Sequence, residues 1–157
     1  TLPEFIESEL KQAGVSARQL MVELTETAAV SDLHDARRFI EALQTMGCGV
    51  SLDDFGTGFS SFAYLKHLYV DSIKIDGLFI RDLSVDQENQ LFVRAIVSVA
   101  RGLHKTTIAE CVEDEASLNI LASLGVDYVQ GHYLAYPKAE PMVMPMASAE
   151  RRAPVLH

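Results

Sequence analysis

Residues 47–61 run Gly-Cys-Gly-Val-Ser-Leu-Asp-Asp-Phe-Gly-Thr-Gly-Phe-Ser-Ser. Gly47 closes a helical stripe, 50–53 reads as a short strand, and the Gly- and Ser-rich stretch behind it reads as a loop. Upstream, 19–25 alternates, with Val22 and Leu24 on one side and Met21, Glu23 and Thr25 on the other. Between these strands Asp32 is placed to cap a helix whose stripe Ala36, Phe39, Ile40 and Leu43 runs to Met46. At the start, Thr1 with Glu4 is a capping-box signature, Pro3 falls in the first turn, and Phe5, Ile6 and Leu10 form a stripe ending near Gly14.

Downstream, the pattern predicts a short helix over 61–68 and a strand over 71–76, with Ile73 and Ile75 facing together and Lys74 and Asp76 on the other face. A long helix over 86–103 follows, with Leu91, Ile96 and Leu103 on its stripe. A strand over 106–110, a helix over 114–124 closed by Gly125 and a strand over 128–130 complete the regular part. From 138 onward no usable period is left, so the domain is placed at 1–137 and a flexible tail at 138–157.

Alternating strands and helices make the fold class α/β with a parallel sheet. The chain has 157 residues, 48% of them apolar, and a mean hydropathy of +0.12, which excludes intrinsic disorder. A net charge of −9 and a pI near 4.9 argue against a general sleeve for nucleic-acid backbones. An anionic ligand is still accessible to such a chain if carboxylates first collect cations. Cys48 and Cys111 are far apart and read as small buried side chains of a reducing compartment. No apolar run approaches the roughly 18 residues of a membrane helix, and the expected location is cytoplasmic. The chain begins at Thr1 without a methionine or a signal sequence, so a longer parent is expected, one that upstream segments could tether to a membrane.

Each strand ends in a chemically capable side chain: Glu23, Asp53, Lys74, Glu110 and Gln130. In parallel α/β proteins, and above all in (β/α) barrels, the site is built at those carboxyl ends by residues from several strands. Glu23, Asp53, Asp54 and Glu110 at one mouth are costly unless cations neutralise them, and hard oxygen ligands favour Mg²⁺ or Mn²⁺. Asp53 and Asp54 are neighbours and point to opposite faces of a regular strand, so both reach one site only if the strand breaks there. Phe55-Gly56-Thr57-Gly58 supplies that break; the structural alternative has Asp54 capping the loop. Lys74 on an inward face needs carboxylate neighbours, either in an ion pair with Asp76 or Asp53 or to orient or deprotonate a water. The Gly56-Thr57-Gly58 turn with Ser60 and Ser61 could cradle a phosphate, although a plain turn is its default reading. His34, His67, His104 and His132 lack ligand spacing and are read as surface or packing residues.

Glu23-Leu24-Thr25-Glu26-Thr27, Asp53-Asp54-Phe55-Gly56-Thr57-Gly58-Phe59-Ser60-Ser61, Lys74-Ile75-Asp76, Ala109-Glu110-Cys111-Val112-Glu113 and Gln130-Gly131 together resemble the EAL domain of bacterial cyclic di-GMP phosphodiesterases. The resemblance runs from about residue 19 to 137. It implies a modified (β/α) TIM-type barrel holding two divalent cations, Mg²⁺ or Mn²⁺, and hydrolysis of cyclic di-GMP to linear pGpG by an attacking water held on the metals. On this resemblance Glu23, Asp53, Asp54 and Glu110 are metal ligands, with Lys74 and Glu110 in catalytic roles. Gln130 and Glu113 belong to the substrate shell. Glu26 holds the loop 55–61, which the resemblance makes part of a homodimer contact.

Three departures accompany the match. The Glu-Ala-Leu signature and a metal-binding asparagine belong upstream of Thr1, leaving about five of a barrel's eight strands in this chain. Cys111 stands where glycine is usual, and Tyr69 where proline is common. A catalytically inactive EAL-like receptor for the dinucleotide or for a protein partner is the alternative from another class. An enolase-like metal barrel fits the paired aspartates and the Gly-Thr-Gly loop poorly.

Overall fold

The computed structural model describes residues 1–57 and 62–139. Its elements follow the chain as α1 (Leu2–Ala13), a 3₁₀ turn (Ala17–Gln19), β1 (Met21–Thr25), α2 (Glu26–Ser31), α3 (Leu33–Met46), β2 (Gly49–Phe55) and α4 (Phe62–Leu65). Then come β3 (Ser72–Ile75), a second 3₁₀ turn (Gly77–Phe79), α5 (Gln87–Gly102), β4 (Thr106–Ala109), α6 (Glu115–Leu124) and β5 (Tyr128–Val129).

All strand pairs are parallel and the sheet order is β1-β2-β3-β4-β5. A sheet whose order never reverses is a wall of the TIM-barrel type; a doubly wound sheet would change direction at a switch point. The expected α/β class and its five parallel strands are therefore present. Register places Glu23 opposite Ser51, Ser51 opposite Ser72 and Lys74 opposite Ile108. Because side chains alternate, this puts Glu23, Asp53, Lys74 and Glu110 on one face, toward the strands' carboxyl ends. Val50, Leu52, Ile73 and Ile75 fill the other face and are buried with Ile40, Leu43, Val93, Ile96 and Leu121 from the helices.

The anticipated cap at Asp32 forms, and two further helices start in the same way. The Asp32 carboxylate accepts from Asp35 N (2.9 Å), Asp86 from Glu88 N and Asn89 N (2.9 and 3.0 Å), and Asp114 from Ser117 N (2.7 Å), each satisfying amide groups that a helix start leaves unpaired. Gly47 ends α3 in the left-handed conformation (φ 95°), as its placement predicted.

Several sequence expectations are corrected. Leu91 is 66% exposed, and the buried stripe of α5 is Val93, Ile96, Val97 and Ala100. Leu91 lies five residues before Ile96, about 140° round the helix, so the two cannot share a face. Phe5 is likewise exposed, and only Ile6 and Leu10 of the α1 stripe pack against the core. Helix α2 was not anticipated; Thr25 caps it, its side chain accepting from Ala28 N. Cys48 is buried as expected, whereas Cys111 is only partly so. Residues 58–61, including Ser60, Ser61 and most of the expected dimer loop, and residues 140–157 of the expected tail lie outside the described residues.

Candidate active site

At the carboxyl edge of the sheet, Lys74 is the centre of a charged cluster. Its Nζ lies 2.7 Å from Glu110 Oε1, 2.9 Å from Glu23 Oε1 and 3.1 Å from Asp53 Oδ1, and its side chain is only 6% exposed. Glu23 comes from β1, Asp53 from β2 and Glu110 from the residue directly after β4, so segments on both sides of β3 are tied through one ammonium group. Of the two partners proposed for Lys74, Asp53 is the one engaged. Asp76 caps the following 3₁₀ turn, accepting from Leu78 N (2.7 Å). Gln130 Nε2, directly after β5, donates to Glu110 Oε1 (3.0 Å), directly after β4, and so helps to orient that glutamate.

Asp53 and Asp54 both reach this edge because β2 is irregular. The register with β3 slips between Leu52 and Phe55, Asp54 adopts φ +54°, and Gly56 follows at φ +106°. A Cβ at Gly56 would come within 2.3 Å of the Phe79 ring, so glycine is required there by space as well as by backbone conformation. Asp53, Asp54 and Glu110 each offer one oxygen, all within 4.8 Å of one another. Glu23 stands beside this group, joined to it through Lys74. Glu113 is exposed in the loop after β4 and lies outside the three-carboxylate group.

The electrostatics are lopsided. Burial pushes the Lys74 ammonium toward the neutral form, but its contacts with Glu110, Glu23 and Asp53 outweigh this and hold its pKa above the ordinary lysine value. Burial raises the Glu110 pKa, against the pull of Lys74. Asp54 is raised by desolvation and then by the charges of Asp53 and Asp76. One ammonium faces four carboxylates, so the pocket stays negative. Asp53 Oδ1 is buried and, although at ion-pair distance from Lys74, makes no directional hydrogen bond. A buried, under-satisfied carboxylate oxygen in an all-oxygen donor set is what a hard divalent cation takes up, so these residues fit such an ion.

Glu26 is 2% exposed beneath the Asp53-Asp54 turn. Its Oε2 accepts from Gly56 N (2.8 Å) and its Oε1 from Tyr64 Oη. The expected hold on the loop is thus made at Gly56, the part of the loop that is described. Tyr64 was not foreseen; 38 residues separate it from Glu26, and nothing in its local sequence marks the contact.

A family model described as the EAL domain matches residues 1–137. The chain belongs to the EAL domain family. It is 33% identical over 135 residues to the cyclic di-GMP phosphodiesterase PdeB of Shewanella oneidensis, covering 86% of this chain and 16% of PdeB. Among solved structures, the PaMucR phosphodiesterase in complex with c-di-GMP superposes with TM-score 0.80 at 39% identity, over 84% of this chain and 53% of that one. BlrP1 of Klebsiella pneumoniae, solved with manganese and cyclic di-GMP, gives TM-score 0.78 at 30% identity, over 83% and 33%. This EAL chain therefore spans about half or less of the chains it resembles here.

Cys111, which the sequence resemblance sets where glycine is usual, has a conformation that explains why glycine would suit that position. It carries φ +55° directly after Glu110, and its Sγ and Cβ sit 2.6 and 2.8 Å from where a Cβ on Gly77 would be. Left-handed backbone costs a side-chain-bearing residue about 1–2 kcal/mol, more than the roughly 0.5–1 kcal/mol of chain entropy that glycine loses. Cys111→Gly in the full-length protein is expected to raise the thermal midpoint by about 2–3 °C. A lowered midpoint in differential scanning calorimetry would mean that the thiol's packing on Gly77 outweighs the strain.

Proposed function

We propose that the EAL domain containing this chain hydrolyses cyclic di-GMP to linear pGpG with Mg²⁺ or Mn²⁺, two ions serving the complete domain. The observation that carries this reading is the convergence of Glu23, Asp53 and Glu110 on the Lys74 ammonium, with Asp54 beside Asp53 and Glu110, at the carboxyl edge of a parallel sheet. Relatives named as cyclic di-GMP phosphodiesterases support the substrate, and the manganese complex of BlrP1 supports the cation class.

Asp53, Asp54, Glu110 and Glu23 would hold the cations, which when bound supply positive charge to the attacking and leaving oxygens of an in-line displacement at phosphorus. Lys74, held as an ammonium, keeps Glu23, Asp53 and Glu110 in one plane of action and orients a water beside them. Gln130 prevents Glu110 from turning away. Glu113, exposed at the rim, is assigned to the substrate shell. Glu26 supports the loop 55–61, through which the parent protein forms a homodimer, and the domain works on the cytoplasmic side, where a soluble nucleotide is found.

Incubating the full-length protein with cyclic di-GMP and Mn²⁺ tests the proposal. Chromatography should show pGpG, its formation should stop with a chelator, and added Mn²⁺ should restore it. Tight binding of the dinucleotide with no pGpG under any of these conditions would replace the enzyme by the receptor.

A further inference from the structure

We infer that Tyr64 is a positioning residue: through Glu26 its hydroxyl fixes the Gly56 turn that brings Asp53 and Asp54 to a single cation-binding edge. The inference rests on the reading of those carboxylates as cation ligands.

The chain around this turn is under unusual demands. Two left-handed residues, Asp54 and Gly56, fall within three positions, and the β2–β3 register slips just before them. Such a conformation persists only when its surroundings over-determine it. The Phe79 ring fills the space over Gly56 from one side. From another, Glu26 Oε2 accepts the Gly56 amide at 2.8 Å.

That acceptor is itself a buried carboxylate, which needs donors on both oxygens to stay where it is. Tyr64, half-buried in the short helix α4, donates to the second oxygen. Burial, and after it the bond to Glu26, push the phenol's pKa up, so the hydroxyl keeps its proton and acts as the donor. With that donor removed, the Glu26 carboxylate loses one of the bonds that orient it, and its grip on Gly56 weakens. The effect reaches Asp54 and Asp53 through one and two peptide units beyond Phe55, and Tyr64 itself is not among the partners of Lys74 or of the carboxylate group.

Tyr64→Phe in the full-length protein removes only the hydroxyl. Mn²⁺ affinity, measured by isothermal titration calorimetry without substrate, is expected to fall about 5- to 10-fold. The thermal midpoint in chelator should drop by less than about 4 °C, and turnover at saturating Mn²⁺ should stay within about threefold of wild type, since the ligands themselves are intact. Glu26→Gln should also weaken Mn²⁺ binding, and adding Tyr64→Phe to it should weaken binding by less than a further factor of about two, because both act through one contact. Unchanged Mn²⁺ affinity with a lowered midpoint would make Tyr64 a structural residue only and overturn the inference, as would losses that simply multiply in the double variant. A wild-type protein that binds no Mn²⁺ would overturn this inference together with the cation reading. If wild type binds Mn²⁺ but forms no pGpG, the enzyme proposal fails, while the Mn²⁺ comparison between variants still decides the role of Tyr64.

Discussion

Replacing Lys74 by methionine in the full-length protein is expected to lower cyclic di-GMP turnover by about 10²- to 10⁴-fold at saturating Mn²⁺. The methionine fills similar space, so the loss isolates the ammonium group. Three carboxylates at 2.7–3.1 Å depend on that group as their shared countercharge. In the cation-free protein, removing it leaves Asp53 and Glu110, both largely buried, facing each other unscreened, at a cost on the order of 3 kcal/mol. Glu23, whose side chain is about half exposed, can turn to water and adds little. Bound Mn²⁺ supplies the missing positive charge, so it should restore most of the stability and almost none of the turnover. Calorimetric unfolding with and without Mn²⁺, beside initial rates of pGpG formation, separates the two effects. Turnover within about threefold of wild type would remove Lys74 from the reaction and leave it as electrostatic glue.

Asp53→Asn should act in the opposite sense on stability. The amide keeps the shape and removes one negative charge from a cluster in which Asp53, Asp54 and Glu110 lie within 4.8 Å. Relief of that repulsion offsets the lost attraction to Lys74, so the cation-free protein should stay within about 1 kcal/mol of wild type. The cation site should not survive: Mn²⁺ affinity is expected to fall by about 100-fold or more, and turnover with it. At a Mn²⁺ concentration about 100 times its dissociation constant, wild type gains roughly 2.7 kcal/mol on binding, and the variant should gain almost nothing at that concentration. An equal Mn²⁺-induced rise in the unfolding midpoint of both proteins would take Asp53 out of the ligand set.

Much of this architecture can be read from residue order because its signals are local. Alternation fixes which side chains of β1 and β3 share a face, and Asp32, Asp86 and Asp114 mark helix starts by chemistry contained within a few residues. The break that brings Asp54 to the sheet's carboxyl edge is foreseeable for the same reason, since Gly56 follows two residues on. Helix α2 was not, because six residues that include Thr27 and Val30 carry too little helical propensity and too short a stripe; burial of Glu26 and Ala29 holds it in place. Leu91 shows the related failure of phase: apolar residues on α5 outnumber those its core-facing stripe needs, and only packing decides which are chosen. The residue types of the charged cluster were legible, but its wiring was not. That one lysine serves three acids at once, through the sheet register, and that Tyr64 secures Glu26, between two helices, are facts of distances between segments 21 to 51 residues apart.

An interior ammonium of this kind also bears on which ions the edge can admit. Lys74 already offers the acids a single positive charge at close range, permanently attached and paid for in folding. A potassium ion neutralises only one of the charges that the lysine leaves over and must still shed its hydration, so it gains less by entering than an ion of higher charge. A doubly charged ion does gain, because it satisfies acids that the lysine leaves over. The charge balance around Lys74 therefore favours higher valence before any fine matching of ionic radius enters.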